Sequence, residues 1–221
     1  MPPLPKSPMD STTTVIVFDL DNTLFDTRSI PAALTAGLFD SVRAANVGPD
    51  AVPSDVLSTA LDESWSVAFT LVAKKYRLPQ RISDVWSEFH STLTFPKPLT
   101  PFDDVVETLQ RLHNKQRYLV LLTSGYERVQ RAKVDALGLT AFFDLIIVDA
   151  VDVEHRGKQA ILSDLISSRR WLSQHMLIVG DSAISEIAAG NALGIPTVQI
   201  LRPGVVRTDT ATRHICSLRE L

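Results

Sequence analysis

Hydrophobic residues occur in short blocks along this chain, at positions 15–18, 119–122, 145–148 and 176–179. Each block is as long as a buried strand and ends in polar or small residues. The stretches 127–137 and 184–193 lie between or after these blocks and have helical spacing, and a fifth apolar block follows at 197–201. Alternating strands and helices predict a Rossmann-like α/β fold, in which a parallel sheet forms the middle of three α/β/α layers.

One region lacks this alternation. Between residues 26 and 98 no strand pattern is present, and helices are predicted at 30–45, 54–76 and 82–93. We therefore predict an α/β core domain at 14–26 and 98–221 and an inserted α-helical domain at 27–97. Residues 1–13, rich in proline, are expected to be a flexible tail. The aromatic side chains of the insert are expected to form its core: Trp65, Phe69, Trp86 and Phe89.

Composition excludes several classes of protein. The 22 Lys and Arg against 25 Asp and Glu give a net charge of −3, so the chain lacks the cationic excess of a protein that binds nucleic acid polymers. The single cysteine, Cys216, cannot form an internal disulfide. No apolar run approaches the roughly 18 residues of a membrane span, and no signal peptide pattern is present. We expect a cytoplasmic protein without a membrane partner, either a monomer or a homodimer.

Two carboxylates follow the first predicted strand, in the sequence Asp19-Leu20-Asp21-Asn22-Thr23. Close like charges repel each other, so a pair at a strand end is costly unless a cation lies between the two carboxylates or one is protonated. The alternative is a pair of turn-forming aspartates, with Thr23 capping a helix.

Further polar residues follow the other predicted strands. Thr123 and Ser124 end the second, Asp181 follows the fourth, Glu186 comes five residues later, and Lys158 stands at a predicted helix start. Because ligands bind beyond the carboxyl ends of parallel strands, these groups are expected to converge. Three carboxylates, a lysine and a hydroxyl predict an oxygen-ligand site for Mg²⁺ facing a phosphate. Taken singly, Thr123 and Lys158 are also compatible with a turn hydroxyl and a solvated lysine.

In these motifs the sequence resembles the haloacid dehalogenase superfamily, most of whose members are phosphatases. The segment 19–23 looks like its first motif, 123–125 like the second, Lys158 like the third and 180–186 like the fourth. The helical insert between the first and second motifs looks like the cap of that family. The resemblance implies a Mg²⁺-dependent phosphatase that acts on a small phosphorylated metabolite through an aspartyl-phosphate.

The resemblance also implies a role for each matching residue. Asp19 would be the nucleophile and a metal ligand, and Asp21 the general acid and base, with its backbone carbonyl on the metal. Asp181 would complete the metal site, and Glu186 would support it directly or through water. The phosphate would be held by Thr123, Ser124 and Lys158.

Some positions depart from the family pattern. Asn22 stands where glycine is common, Ser124 where asparagine is frequent, and Glu186 where aspartate is usual. Arg156 is an alternative to Lys158 as the cation. Four acidic or basic residues before Arg156 are expected to form a solvated rim of the site rather than to bind the metal: Asp149, Asp152, Glu154 and His155.

Other functions remain open. A phosphomutase shares the aspartyl-phosphate, and a non-catalytic member would bind a phosphorylated ligand without turnover. A response-regulator receiver is disfavoured, because its lysine is the last of its site residues, whereas here Asp181 follows Lys158. Within phosphatases, phosphoglycolate, nucleotides and sugar phosphates are all compatible with the motifs. Arg28, just after the first motif, either meets an anionic group of the substrate or is a surface residue.

Overall fold

The computed structural model describes residues 13–96 and 98–221, and within them six parallel strands form one sheet. The order across the sheet is β3-β2-β1-β4-β5-β6. The strands are β1 (Val15–Phe18), β2 (Tyr118–Gly125), β3 (Leu145–Ala150), β4 (Met176–Gly180), β5 (Thr197–Ile200) and β6 (Arg213–Ile215). The predicted Rossmann-like α/β fold is confirmed, while the predicted tail falls largely outside the described residues.

Helices cover both faces of the sheet because alternate strand residues point in opposite directions. Ile16 and Phe18 of β1 pack with α5 (Val105–Asn114) and α6 (Glu127–Ala136). Val15 and Val17 pack on the other face with α7 (Lys158–Arg169) and α8 (Ala188–Ala192). The sheet is therefore buried on both sides, as its continuous apolar strands require.

The register of the central strands brings the polar strand ends together. Val15 of β1 pairs with Tyr118 of β2 on one side and with Met176 of β4 on the other. All three strands run in the same direction, so their carboxyl ends lie at one edge of the sheet. The residues that follow β1 and β4, and the last residues of β2, therefore share that edge.

Four α-helices of the described residues lie between β1 and α5, in the segment that the sequence assigns to the insert. They are α1 (Ala32–Ala45), α2 (Ser54–Glu63), α3 (Phe69–Tyr76) and α4 (Gln80–Thr92), and we call them the helical insert. They enclose a hydrophobic cluster of their own, in which the rings of Phe69 and Trp86 stack 3.8 Å apart. The exact boundaries of the two domains stay a prediction.

The prediction of one helix over 54–76 is wrong. The helix ends after Glu63 and resumes at Phe69, and the backbone of Trp65 lies in the gap. The carbonyl of Trp65 accepts hydrogen bonds from Asn22 Nδ2 at 3.1 Å and Thr27 Oγ1 at 2.7 Å. These bonds join the gap between α2 and α3 to the loop after β1, and periodicity alone carries no sign of them.

The C-terminal segment adds the edge strand β6, which the sequence pattern does not indicate because it is only three residues long. The buried Arg202, just after β5, ties this segment to the loop after β1. Its guanidinium donates to both carboxylate oxygens of Asp104 at 2.7 and 2.9 Å and to the carbonyl of Thr23. Asp104 also accepts from the hydroxyl of Ser217 and the backbone N–H of Leu218. No helix in the described ranges combines the length and the apolar character that crossing a bilayer requires.

Candidate active site

Three of the predicted site carboxylates lie together at the carboxyl edge of the sheet. One oxygen from each of Asp19, Asp181 and Glu186 lies within 4.8 Å of the others. Lys158, at the start of α7, lies against two of them: its Nζ is 2.5 Å from Asp19 Oδ1 and also contacts Glu186 Oε1. Lys158, Asp19 and Glu186 are all buried. The sequence placed these four residues at separate element ends, and the fold brings them into one cluster.

The local backbone after β4 places Glu186 in this cluster. The chain forms a π-helical turn at Ala183–Ile187, and Glu186 Oε2 accepts the backbone N–H of Ser182 at 3.1 Å. Gly180 makes room for this return, because a Cβ there would lie 2.4 Å from Cγ of Glu186. A side chain at position 180 would therefore displace Glu186 from the cluster.

Burial and mutual repulsion raise the pKa of two of these carboxyls. Burial, with the charges of Glu186 and Asp181, raises the pKa of Asp19 well above its usual value despite the nearby Lys158. Burial and the charge of Glu186 raise the pKa of Asp181 to about 7. Burial would lower the pKa of Lys158, but Asp19 and Glu186 outweigh it and raise this pKa. The site holds more negative charge than one ammonium group neutralises.

Asp149 fixes the start of α7 and with it the position of Lys158. Its carboxylate accepts the backbone N–H groups of Arg156 and Gly157, and it also lies 3.1 Å from the imidazole Nε2 of His155. Asp149 is 1% exposed, so its assignment to a solvated rim is wrong. Its neighbours Asp152, Glu154 and His155 are exposed as expected.

The two candidate cations are now distinguished by position. Lys158 contacts the carboxylates of the site, whereas the guanidinium of Arg156 pairs with Asp164 on the exposed side of α7, with Nη2 2.5 Å from Oδ2. The structure therefore favours Lys158 over Arg156 as the cation of the site.

Asp21 stands apart from the three-carboxylate cluster. Asn22 adopts a positive φ of 55°, which an asparagine tolerates, and the chain turns sharply there. The carboxylate of Asp21 accepts hydrogen bonds from Lys133 Nζ at 2.7 and 2.9 Å and from Gln130 Nε2 at 3.0 Å. The two carboxylates of the first motif thus have different partners.

The two predicted hydroxyls also differ in their contacts. Thr123 is buried at the end of β2, and its Oγ1 accepts from Gln130 Nε2 at 2.6 Å. The hydroxyl of Ser124 donates to Asp149 Oδ2 at 3.3 Å. Both residues border the same cavity as Asp19 and Lys158.

Gln130 and Lys133, which are buried on α6, are absent from the residues that the sequence predicts for the site. Residue type and spacing alone do not distinguish them from the solvent-exposed polar residues of an amphipathic helix. The signal that could have found them is their position: both lie on the face of α6 that also carries Val129 and Val134. Polar groups on a buried helix face are normally satisfied by hydrogen bonds.

A cavity of about 470 Å³ opens above the cluster, between the core and the helical insert. Its floor carries Asp19, Asp21 and Lys158, and its walls include Trp65 and Phe89 of the insert. Of the four insert aromatics expected in the core, Phe69 and Trp86 are buried there, whereas Trp65 and Phe89 are only partly buried. Both partly buried side chains therefore present surface to the cavity.

The family of the chain follows from comparison with known proteins. The model of the family of haloacid dehalogenase-like hydrolases matches residues 16–200. The chain belongs to this family. A phosphoglycolate phosphatase of Mesorhizobium japonicum is 27% identical over 200 residues, which cover 84% of this chain and 82% of the relative. The N-acylneuraminate-9-phosphatase of Homo sapiens is 26% identical over 216 residues, 86% of this chain and 84% of that protein. The predicted enzyme class, a phosphatase-type hydrolase of this family, is confirmed.

Solved structures of this family share the fold. The putative HAD-hydrolase YfnB of Bacillus subtilis superposes with a TM-score of 0.64 at 18% identity, covering 94% of this chain and 96% of that one. A HAD phosphatase of Thermococcus onnurineus gives the same TM-score at 21% identity, covering 94% and 95%. At these identities the likeness concerns the fold alone.

Proposed function

We propose that this enzyme is a Mg²⁺-dependent phosphatase that hydrolyses a small organic phosphomonoester through an aspartyl-phosphate on Asp19. The observation that carries the proposal is the cluster of Asp19, Asp181 and Glu186 around Lys158, with Asp21 held separately on Lys133. A nucleophilic mechanism needs one ionised carboxylate that attacks and a second that exchanges a proton. This site offers two carboxylates in different surroundings.

The donor set fits a hard divalent cation. Three carboxylates share the cluster with one ammonium group, and oxygen ligands of this kind suit Mg²⁺. Asp19, Asp181 and Glu186 would hold the ion, together with the backbone carbonyl of Asp21 that the family resemblance implies. When bound, Mg²⁺ would stabilise negative charge on the transferring phosphoryl group.

Asp19 would be the group that attacks phosphorus. Lys158 lies 2.5 Å from its carboxylate, and both side chains of this ion pair are buried. In the proposed first step an Asp19 oxygen forms a bond to phosphorus and the bond from phosphorus to the leaving oxygen breaks. The ammonium group of Lys158 and the hydroxyl of Thr123 would contact the phosphoryl oxygens.

Asp21 would supply the proton that the leaving oxygen takes up. To do so it binds a proton and turns from Lys133 towards the substrate. In the second step Asp21 takes a proton from water, the water oxygen bonds to phosphorus, and the Asp19–phosphorus bond breaks. Inorganic phosphate leaves, Asp19 is again a free carboxylate, and Asp21 again carries the proton with which the first step began.

The proposal is tested by phosphate release from a panel of phosphomonoesters, with Mg²⁺ and with EDTA. We expect release with Mg²⁺ only, and none from the Asp19→Asn variant. Asp40→Asn, which removes an 80% exposed carboxylate on α1, is the matched control and should retain full activity. Release that is unaffected by both EDTA and Asp19→Asn would contradict the proposal.

A phosphomutase would give a different result in the same assay. It would return the phosphoryl group to another hydroxyl of the sugar phosphate and release little inorganic phosphate. Location in the cytoplasm and the oligomeric state stay predictions.

A further inference from the structure

The side chains that line the active-site cavity indicate the chemistry of the part of the substrate that does not react. The insert supplies one side of the cavity with Trp65, Phe39, Phe89, Leu93 and Phe95. The core adds Tyr126 and Val129 opposite them. Its volume of about 470 Å³ lies within the roughly 300–1,000 Å³ typical of small-molecule sites. The space above the phosphate position is thus broad and mainly apolar.

Within the described part of the insert, residues 27–96, no Lys, Arg, Asp or Glu lines this cavity. Arg28, the candidate for an anionic substrate group, is not among the lining residues. It is half-exposed, and its Nη2 pairs with Asp62 Oδ1 at 2.9 Å. The insert therefore presents no charged partner to a second anionic group in the residues that the structure describes.

The lysines on the floor of the cavity are already paired. Lys133 donates to both oxygens of Asp21, and Lys158 contacts Asp19 and Glu186. The imidazole of His155 lies 3.1 Å from Asp149. A carboxylate or second phosphate on the substrate would therefore find no unpaired lysine or arginine among the described residues that line the cavity, and burying an unpaired charge is costly.

His90 adds a neutral polar group to the wall. Its Nδ1 lies 2.7 Å from the carbonyl of Trp86, which can only accept, so Nδ1 carries the hydrogen and Nε2 is left as an acceptor. The ring stacks between Trp86 and Tyr126, with centroids 5.1 and 4.7 Å away. Burial lowers its pKa to about 4, so the ring is uncharged at neutral pH. The stacking of His90 on Tyr126 also links α4 of the insert to the segment before α6.

We infer that the substrate carries its phosphate on an uncharged group with a flat ring, as in a nucleoside monophosphate or an aryl-substituted alkyl phosphate, and not on a group with a second negative charge. This inference rests on the proposed phosphatase activity. The ring would lie against Trp65 and Phe89, and Nε2 of His90 would accept a hydrogen bond from an N–H or O–H of the substrate.

The test compares benzyl phosphate with 4-carboxybenzyl phosphate. The two have nearly the same leaving alcohol and differ by one remote negative charge, so a difference in kcat/KM reports on the cavity wall. We expect benzyl phosphate to be preferred by roughly 10²-fold. Thymidine 5′-monophosphate in the same assay distinguishes a nucleoside from a simple aryl group, and phosphoglycolate serves as a small substrate with a second anion.

Two variants connect the preference to this wall. Ser66→Lys places a cation on an exposed residue that lines the cavity. It should lower the ratio of kcat/KM for benzyl phosphate to kcat/KM for 4-carboxybenzyl phosphate by about 10-fold or more, which corresponds to about 1.4 kcal/mol of added binding to the carboxylate. Ser58→Lys, on an exposed position of α2 that does not line the cavity, is the control and should leave the ratio unchanged. Trp65→Leu should raise KM for benzyl phosphate more than for phosphoglycolate. The backbone carbonyl of Trp65, which anchors this segment, is retained in that variant.

The outcomes separate the two proposals. Metal-dependent release that is fastest with 4-carboxybenzyl phosphate or phosphoglycolate would overturn the inference on substrate class and leave the phosphatase proposal standing. A preference for benzyl phosphate that none of the lining variants changes would also overturn it. Absence of metal-dependent release from every compound would overturn both.

Discussion

Lys133 on α6 donates to both carboxylate oxygens of Asp21, at 2.7 and 2.9 Å, across 112 residues of sequence. The lysine side chain is 7% exposed and the carboxylate 28%. The nucleophile and the proton donor of the proposed mechanism therefore each have a lysine of their own: Lys158 for Asp19 and Lys133 for Asp21. This pairing holds two nearby carboxylates in separate orientations before substrate arrives.

Lys133→Met tests whether this contact positions Asp21. Methionine keeps an apolar side chain of similar length in the buried site but removes the ammonium group. A charge-assisted hydrogen bond is worth about 1.5–3 kcal/mol, so we expect kcat to fall by roughly 10–100-fold with little change in KM. Steady-state kinetics measure this, and Lys133→Arg should recover part of the loss.

The matched control for Lys133 is Lys115→Met, which removes an exposed lysine just after α5. We expect its kcat and KM to equal those of the wild type. If Lys133→Met leaves kcat unchanged while the protein stays folded, Lys133 does not position the general acid.

Asp21→Asn tests the proton transfer itself. The amide cannot donate an acidic proton or accept one from water, and we expect turnover to slow by roughly 10²–10⁴-fold. The loss in the first step should be larger for an alkyl phosphate, whose leaving oxygen needs a proton, than for 4-nitrophenyl phosphate. Equal loss of the first step with both substrates would remove Asp21 from the role of general acid.

The buried pair of Arg202 and Asp104 is expected to stabilise the fold. Burial would raise the pKa of Asp104, but Arg202, Leu218 and Ser217 outweigh it, and this pKa lies below its usual value. Asp104→Asn leaves the arginine charge buried without its partner, which costs about 3–5 kcal/mol of unfolding free energy. Thermal or urea unfolding measures this loss.

Asp103 provides the control next to it in sequence. Its carboxylate is 86% exposed and lies 3.7 Å from Arg219. Because exposed ion pairs contribute little, Asp103→Asn should change the unfolding free energy by less than about 1 kcal/mol. Similar losses of unfolding free energy in the two variants would show that the buried Arg202–Asp104 pair stabilises the fold no more than an exposed ion pair does.

His90 predicts a pH dependence of stability. Burial lowers its pKa to about 4 in the folded protein, and the nearby Lys133 contributes to the same direction. The unfolded chain then binds the proton more readily between pH 6.5 and 4, so stability falls as the pH drops through this window. A shift from an unfolded value of about 6.5 corresponds to about 3 kcal/mol lost by pH 4.

The comparison for His90 is the His90→Gln variant, which lacks this titration while its other ionisable groups stay the same. Urea unfolding of both proteins between pH 7 and 4 isolates the contribution of the imidazole. The wild type should lose about 3 kcal/mol more than the variant over this range. Parallel curves would contradict the account of a buried, neutral ring.

Much of the core could be predicted because its strands are apolar on both faces. The block 15–18 coincides with β1, and the other blocks lie within or overlap β2 to β5. β6 was missed because three residues with a polar start give no periodic signal. The break between α2 and α3 was missed because it depends on hydrogen bonds from Asn22 and Thr27, which are distant in sequence.

The site residues at strand ends could be predicted for the same topological reason, since parallel strands deliver their carboxyl ends to one edge. The site residues that lie inside helices could not be predicted in this way. Gln130 and Lys133 look like surface residues of an amphipathic helix until the loop after β1 is placed opposite them. Asp149 likewise looks solvated in sequence, and only the fold shows that its carboxylate caps the turn before Lys158.

The central claim, an aspartyl-phosphate on Asp19, is tested most directly in the Asp21→Asn variant with 4-nitrophenyl phosphate. This leaving group needs no proton, so the first step proceeds while the second lacks its base. Rapid mixing should show a burst of 4-nitrophenolate of about one equivalent per chain, and mass spectrometry should find a phosphoryl group on the peptide that contains Asp19. No burst and no modified peptide, or a phosphoryl group on another residue, would contradict the account.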